Sequence, residues 1–230
     1  KESNKESNKE SNKESNKEPT KKQFIKQNKK QLNDLIMEPI KKEYIGIDPG
    51  VRTFLTGLTN DSVIKIGSNL QNRIRNLLQK IDKMKKKHIP LKIERKIEKR
   101  NRRKIKNLMD ESHWKIINYL TKNYKNILIG DMRTSSMLNN KSSNIEDMTK
   151  RIMSSLSFYK FKQRLKYKCQ VRKIGLKIID ERYTSKMCSK CGNEKKNLGG
   201  NNIYTCENCK IEIDRDVNGS RGILIKAISE

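Results

Sequence analysis

The chain has 230 residues, 33% of them hydrophobic and 35% charged, with a formal net charge of +28. That length allows one ordinary domain plus a small module. The charge excludes a neutral metabolic enzyme and points to a polyphosphate partner rather than a small-molecule substrate. No apolar run approaches the roughly 18 residues needed to span a bilayer, and the N-terminus resembles no signal peptide, so the sequence reads as intracellular and free of the membrane. In that setting five cysteines, four of them in two tight pairs, read as thiolate ligands and not as disulfides. Residue 1 is Lys, not Met, which reads as a fragment.

Residues 1–18 are KESN repeated four times, then Lys17 and Glu18. With no apolar residue this tract cannot offset its ordering entropy and reads as disordered. Its five Lys and five Glu cancel, so the whole +28 sits on residues 19–230. Residues 19–42 read as a basic connector. YIGIDPG, Tyr44 to Gly50, is a strand ending in a turn, with Asp48 at its terminus. Asp48 by itself reads more readily as a turn residue before Pro-Gly than as a catalytic acid. TFLTGLT (53–59) and SVIKIGS (62–68) follow at hairpin spacing.

From 69 to 125 the apolar period is helical, broken at Pro90. Residues 83–106 carry 13 Lys or Arg against two Glu. A charge run is usually a solvated face, but a net +11 over 24 residues repels itself and favours a surface that tracks phosphates. His88 and His113 stand alone and read as structural or surface residues, and Trp114 reads as core. NILIGDM (126–132) is a fourth strand. Residues 157–173 form a basic amphipathic helix with Phe158, Phe161 and Leu165 inward and Cys169 packed as a small apolar residue. LKIIDERYT (176–184) is a fifth strand ending in Asp180 and Glu181. Three strands, helices, a strand, a helix and a strand make an α/β sheet domain.

Cys188-x2-Cys191 and Cys206-x2-Cys209 are two knuckles 14 residues apart. Each directs two thiolates to one point, and together they close a tetrahedral zinc site of the ribbon type. With four protein ligands such a zinc has no open position and is structural. It would present Lys190, Lys195, Lys196 and Lys210 to a nucleic-acid backbone, with Gly199-Gly200 at a hairpin tip. In IDRDVNGSRGILIKAI, which follows, Asp214 or Asp216 caps a helix. With Asp48, these acids offer carboxylates from separate elements, and such sets hold two Mg2+ ions roughly 4 Å apart for attack on a phosphodiester. That site needs a further acid.

YIGIDPG, TSKMCSKCG, the second Cys-x2-Cys and DRDVNGSRGIL together resemble the RuvC-like nuclease half of the TnpB and Fanzor proteins, transposon-encoded RNA-guided endonucleases related to type V CRISPR effectors. The resemblance covers about residues 43–228. It implies an RNase H-like mixed sheet flanked by helices with an inserted four-cysteine zinc ribbon, Mg2+-dependent DNA cleavage guided by RNA, and a DNA-containing compartment such as the nucleus. The family's first acid falls on Asp48 and its last on Asp216. The second, usually Glu at the end of the fourth strand, is Gly130 here. Asp131 is adjacent, but a one-residue shift in a strand turns its side chain to the opposite face. In Fanzor proteins the missing Glu is replaced by one just before the TSK-x-C motif, which here is Glu181, and the stretch from Met148 to Lys168 also looks more like Fanzor. The expected metal-binding acids are therefore Asp48, Glu181 and Asp216, although Glu181 also reads as a strand-end surface carboxylate beside Arg182.

The resulting organisation is a repeat at 1–18, a connector at 19–42, a nuclease core at 43–187 with a basic helical insertion at 69–125, a zinc ribbon at 188–212 and a final segment at 213–230. Family members carry an N-terminal half that grips the guide and reads the motif beside the target, and here a repeat and a connector take its place. Two other readings stand beside a transposase-type DNA endonuclease: a catalytically inactive zinc-ribbon protein that binds nucleic acid, and a zinc-ribbon regulator whose acids are only caps and turns.

Overall fold

In a computed structural model of the chain, the described residues are 41–230 except 88, 133, 135–137, 139–144, 182–185, 196–200 and 230. The repeat at 1–18, nearly all of the connector at 19–42, His88, Lys196 and Gly199-Gly200 lie outside them. Residues Lys41–Glu230 form one compact unit. Among the described residues, no helix is long and apolar enough to cross a membrane.

Strand β1 (Lys42–Pro49) pairs antiparallel with β2 (Leu55–Leu58), which pairs antiparallel with β3 (Val63–Ile66). Two basic helices follow, α1 (Leu70–Lys85) and α2 (Leu91–Asn123). The chain then enters β4 (Tyr124–Gly130), parallel to β1. Helices α3 (Asp147–Leu156) and α4 (Phe158–Arg172) lead to β5 (Gly175–Ile179), parallel to β4. The sheet order β3-β2-β1-β4-β5 is the mixed α/β arrangement the sequence called for. A two-stranded sheet of β6 (Ile203–Thr205) and β7 (Glu212–Asp214) leads into the last helix, α5 (Arg215–Ser229).

The two-residue period of the strands sorts the side chains between two layers. Ile45 and Ile47 of β1 and Ile127 and Ile129 of β4 enter one core with Ile74, Ile117, Leu120, Leu156, Phe161 and Leu165 from helices α1 to α4. Each such side chain contributes roughly 1.5–3 kcal/mol on burial. The alternate positions, Gly46 and Asp48, face α5. A Cβ on Gly46 would lie 3.0 Å from Leu224 Cβ and 3.0 Å from the Ser220 carbonyl oxygen, so the helix rests directly on strand backbone.

Several elements differ from their expected bounds. β5 stops at Ile179 because its partner β4 ends at the Gly130–Ile179 pair, which puts Glu181 past the strand end. The expected helix over 157–173 is α4, set off from α3 by Ser157, whose backbone is left-handed at φ 52°. Trp114 is 42% exposed and not core, with the Arg164 guanidinium 5.3 Å from its ring centre. The inner face of α2 is set by His113, Ile117 and Leu120, and Trp114 is rotated about 100° from His113. His113 is buried, with Nε2 3.0 Å from the Leu156 carbonyl oxygen and its ring against Phe54 and Phe161. Burial holds its pKa down at about 4, in keeping with a structural role. Cys169 packs into the core as expected, and burial pushes its thiol up to about 11.

Gly46→Val tests the contact between β1 and α5. The better strand propensity of Val is worth at most about 1 kcal/mol, whereas overpacking against helix backbone costs about 1–3 kcal/mol. The variant should therefore unfold at lower urea concentration than the parent.

Candidate active site

The first turn of α5 is built by Asp214. Its Oδ1 accepts from the backbone N–H groups of Asp216 (2.9 Å) and Val217 (3.3 Å), which is an N-cap. Its Oδ2 accepts from Lys65 Nζ at 2.7 Å. Of the two acids in DRD, Asp214 is thus the cap, and Asp216 is left to the sheet side of the helix. Gly219 lies one turn on from Asp216, on nearly the same face. A Cβ there would sit 3.0 Å from Asp48 Cγ and closer still to Oδ2. Glycine at 219 is what lets the Asp48 carboxylate lie against the helix.

Gly130 works in the same way for Glu181. A Cβ built on Gly130 would meet Glu181 Cγ at 2.8 Å and Cδ at 2.9 Å. The Glu181 side chain therefore occupies the space that a side chain at the end of β4 would fill. Asp131, one residue on, points to the other layer and pairs with Lys162 of α4.

Three carboxylates thus approach from separate elements: Asp48 from β1, Glu181 from beyond β5 and Asp216 from α5. Asp48 is raised well above the usual carboxylate range, first by burial and then by the charges of Glu181 and Asp216. Burial, followed by the nearby Asp131, pushes Glu181 up to about 7. Asp216 is raised by burial and by Asp214, with Lys65, Arg52 and Arg215 pulling the other way. Desolvation is the leading cause in all three. A partly dehydrated cluster of negative charge is a donor set that suits a hard divalent cation. As a set the three acids do not draw within 4.8 Å of one another; among the described residues the four cysteines are the group that does.

Cys188, Cys191, Cys206 and Cys209 have all their sulfurs within 4.8 Å of one another. The Cys188–Cys209 and Cys191–Cys206 separations are each 3.6 Å. A tetrahedron with Zn–S bonds of about 2.3 Å has sulfur separations of about 3.8 Å, so the residues fit zinc. Backbone N–H groups draw the Cys191 and Cys206 thiols down, while the facing sulfurs push Cys209 up, so the four thiols share protons that a metal would displace. Tyr204 backs the cluster, its hydroxyl donating to the Lys186 carbonyl oxygen at 3.0 Å.

Two family models match the chain in succession, "Probable transposase" over residues 32–141 and "Cas12f1-like, TNB domain" over residues 158–223. A TnpB-like protein of Acanthamoeba polyphaga mimivirus is 33% identical over 196 residues, which is 80% of this chain and 37% of the relative. The chain belongs to the TnpB family. It spans well under half the length of the viral TnpB-like proteins it matches. The CRISPR-associated endodeoxyribonuclease Cas12f1 of Sulfoacidibacillus thermotolerans is 35% identical over 88 residues, covering 38% of this chain and 21% of that protein. A solved structure described as the cryo-EM structure of the Cas12f1-sgRNA-target DNA complex has a similar fold, with a TM-score of 0.55 at 21% identity over 78% of this chain and 48% of that one.

Sequence reasoning missed the roles of Gly130 and Gly219 as makers of space, of Lys65 as the partner of Asp214, and of Asn218, whose side chain is wholly buried. The signal in sequence was the small and polar run NGSRG after the acids, which is out of place on an ordinary surface helix.

The raised pKa of Glu181 has a consequence for stability. Folding favours its protonated form, so its ionisation costs nothing below the ordinary value of 4.5 and costs most above about 7. In metal-free protein, Glu181→Gln should melt higher than the parent at pH 8. The gain should shrink as pH falls through 7 and vanish below about 4.5, as followed by circular dichroism.

Proposed function

We propose that this chain carries the nuclease centre of a transposon-associated, TnpB-type DNA endonuclease, with Asp48, Glu181 and Asp216 as its metal-binding acids and Mg2+ as the metal. The observation that carries the reading is the exchange at the end of β4, where Gly130 leaves a space and the Glu181 carboxylate fills it. When bound there, divalent ions supply Lewis-acid stabilisation of the attacking and leaving oxygens of a phosphodiester. The residues of the chain do the rest. The three carboxylates hold the cations, and Arg52 and Arg215 bring positive charge beside Asp216. The basic helices α1 and α2 follow the nucleic-acid backbone without reading sequence. The four-cysteine zinc is structural and does no chemistry.

Guidance by RNA and a DNA target are proposed from the relatives, of which Cas12f1 is described as an endodeoxyribonuclease and in complex with sgRNA and target DNA. Within the family, the pairing of Gly130 with Glu181 is what supports a Fanzor-type reading. The proposed organisation keeps the nuclease core at 43–187, the ribbon at 188–212 and the closing segment at 213–230, acting in a compartment that holds DNA.

The test is cleavage of single-stranded DNA with Mg2+ by the chain and by Asp48→Ala, Glu181→Ala and Asp216→Ala. Each variant should lose more than the roughly 10–100-fold typical of a residue behind the ligands. Gly130→Ala should be impaired as severely as Glu181→Ala, because the added methyl displaces the carboxylate. Activity that survives Asp216→Ala sinks the reading. Salt-sensitive binding with no cleavage by the parent points instead to an inactive nucleic-acid-binding module.

A further inference from the structure

Asn218 stands two residues after Asp216 on α5, about 200° around the helix. Asp216 is on the sheet side and Asn218 is on the side of the cysteine module. The Asn218 side chain is wholly buried. Its Nδ2 donates to the Met187 carbonyl oxygen at 2.9 Å, and its Oδ1 accepts from the Ser189 backbone N–H at 3.0 Å. The residue between those two backbone groups is Cys188, the first thiolate of the cluster and itself 2% exposed. One amide therefore grips the knuckle on both flanks of a metal ligand. A second tie is backbone only: Arg215 N–H donates to the Asn202 carbonyl oxygen at 2.8 Å, again across the junction of module and helix.

A buried amide that loses both partners carries its full desolvation penalty, so knuckle and helix turn keep their register together or not at all. The knuckle holds its shape only while the four sulfurs converge, and a metal is what keeps four thiols converged. We infer that Asn218 is a positioning residue that couples the four-cysteine site to the acid site, so that zinc occupancy sets the divalent-ion affinity of Asp48, Glu181 and Asp216. The zinc is then structural toward DNA chemistry but conditional for it. The inference rests on the reading of those acids as metal ligands.

The experiment measures Mn2+ binding by electron paramagnetic resonance, with Asp216→Asn as the baseline for binding elsewhere. Zinc-loaded parent should bind Mn2+ most tightly, and extraction of its zinc should weaken binding by roughly 10–100-fold, the range for a supporting shell around a metal. Asn218→Ala, with its zinc still bound in a one-to-one ratio, should show the same weakening. Extraction of zinc from that variant should then change Mn2+ binding little, because the link is already broken. Non-additivity of this kind marks coupling and is not produced by general loosening. Asn218→Asp keeps the acceptor for Ser189 and loses the donor to Met187, so it should lie between the two, and it decides the matter if Asn218→Ala does not fold. Parental Mn2+ affinity in zinc-loaded Asn218→Ala, or equal losses on zinc extraction in parent and variant, overturns the coupling alone. Absence of Mn2+ binding above the baseline in the zinc-loaded parent overturns the acid site as well.

Discussion

The site depends on the close approach of α5 to β1. A helix normally stands off a sheet by the length of the side chains between them, and here both sides of the contact have been cut to glycine. Gly46 brings strand backbone to within contact of Ser220 and Leu224, and Gly219 opens the helix surface where the Asp48 carboxylate lies. Asp48 and Asp216 can share a site only because nothing bulkier separates their elements. The cost is a carboxylate partly removed from water, which appears as the upward shift of Asp48.

A second constraint is the volume at the end of β4. Strand geometry leaves one direction for a side chain at position 130, and in this chain Glu181 fills that direction from a different segment. The carboxylate at the end of β4 thus comes from a residue 51 positions later in the chain. The Asp131 carboxylate, one residue past the strand, is paired with Lys162 of α4, and its charge still reaches Glu181.

The cysteine module and the acid cluster are contiguous through the first turn of α5. Asp214 caps that turn and pairs with Lys65 on β3, Asp216 faces the sheet, and Asn218 faces the knuckle. Three polar side chains at alternate positions serve three directions within a single turn. That economy requires Asp214 and not Asp216 to be the cap, because a carboxylate spent on helix N–H groups is not available to a cation.

The five strands and the inward faces of α4 and of the C-terminal part of α2 could be read from the sequence directly, because periodicity records which face meets the core, whereas the parallel pairing of β4 with β1 could not. The cysteine cluster was equally legible, since ligand spacing is itself the geometry of the site. Asp48 was legible as a strand-end acid, and Asp216 was legible only as one of two. Trp114 was misplaced because an aromatic residue carries no periodicity of its own, and the faces of α2 are decided by its neighbours. What tertiary structure alone decided is which backbone could come close to which. The glycines at 46, 130 and 219 have no side chain to announce their role, and the placement of Glu181 and Asn218 depends on contacts across 29 to 51 residues of chain. Local sequence therefore determines the elements and the metal-ligand chemistry, and packing determines where the charges meet.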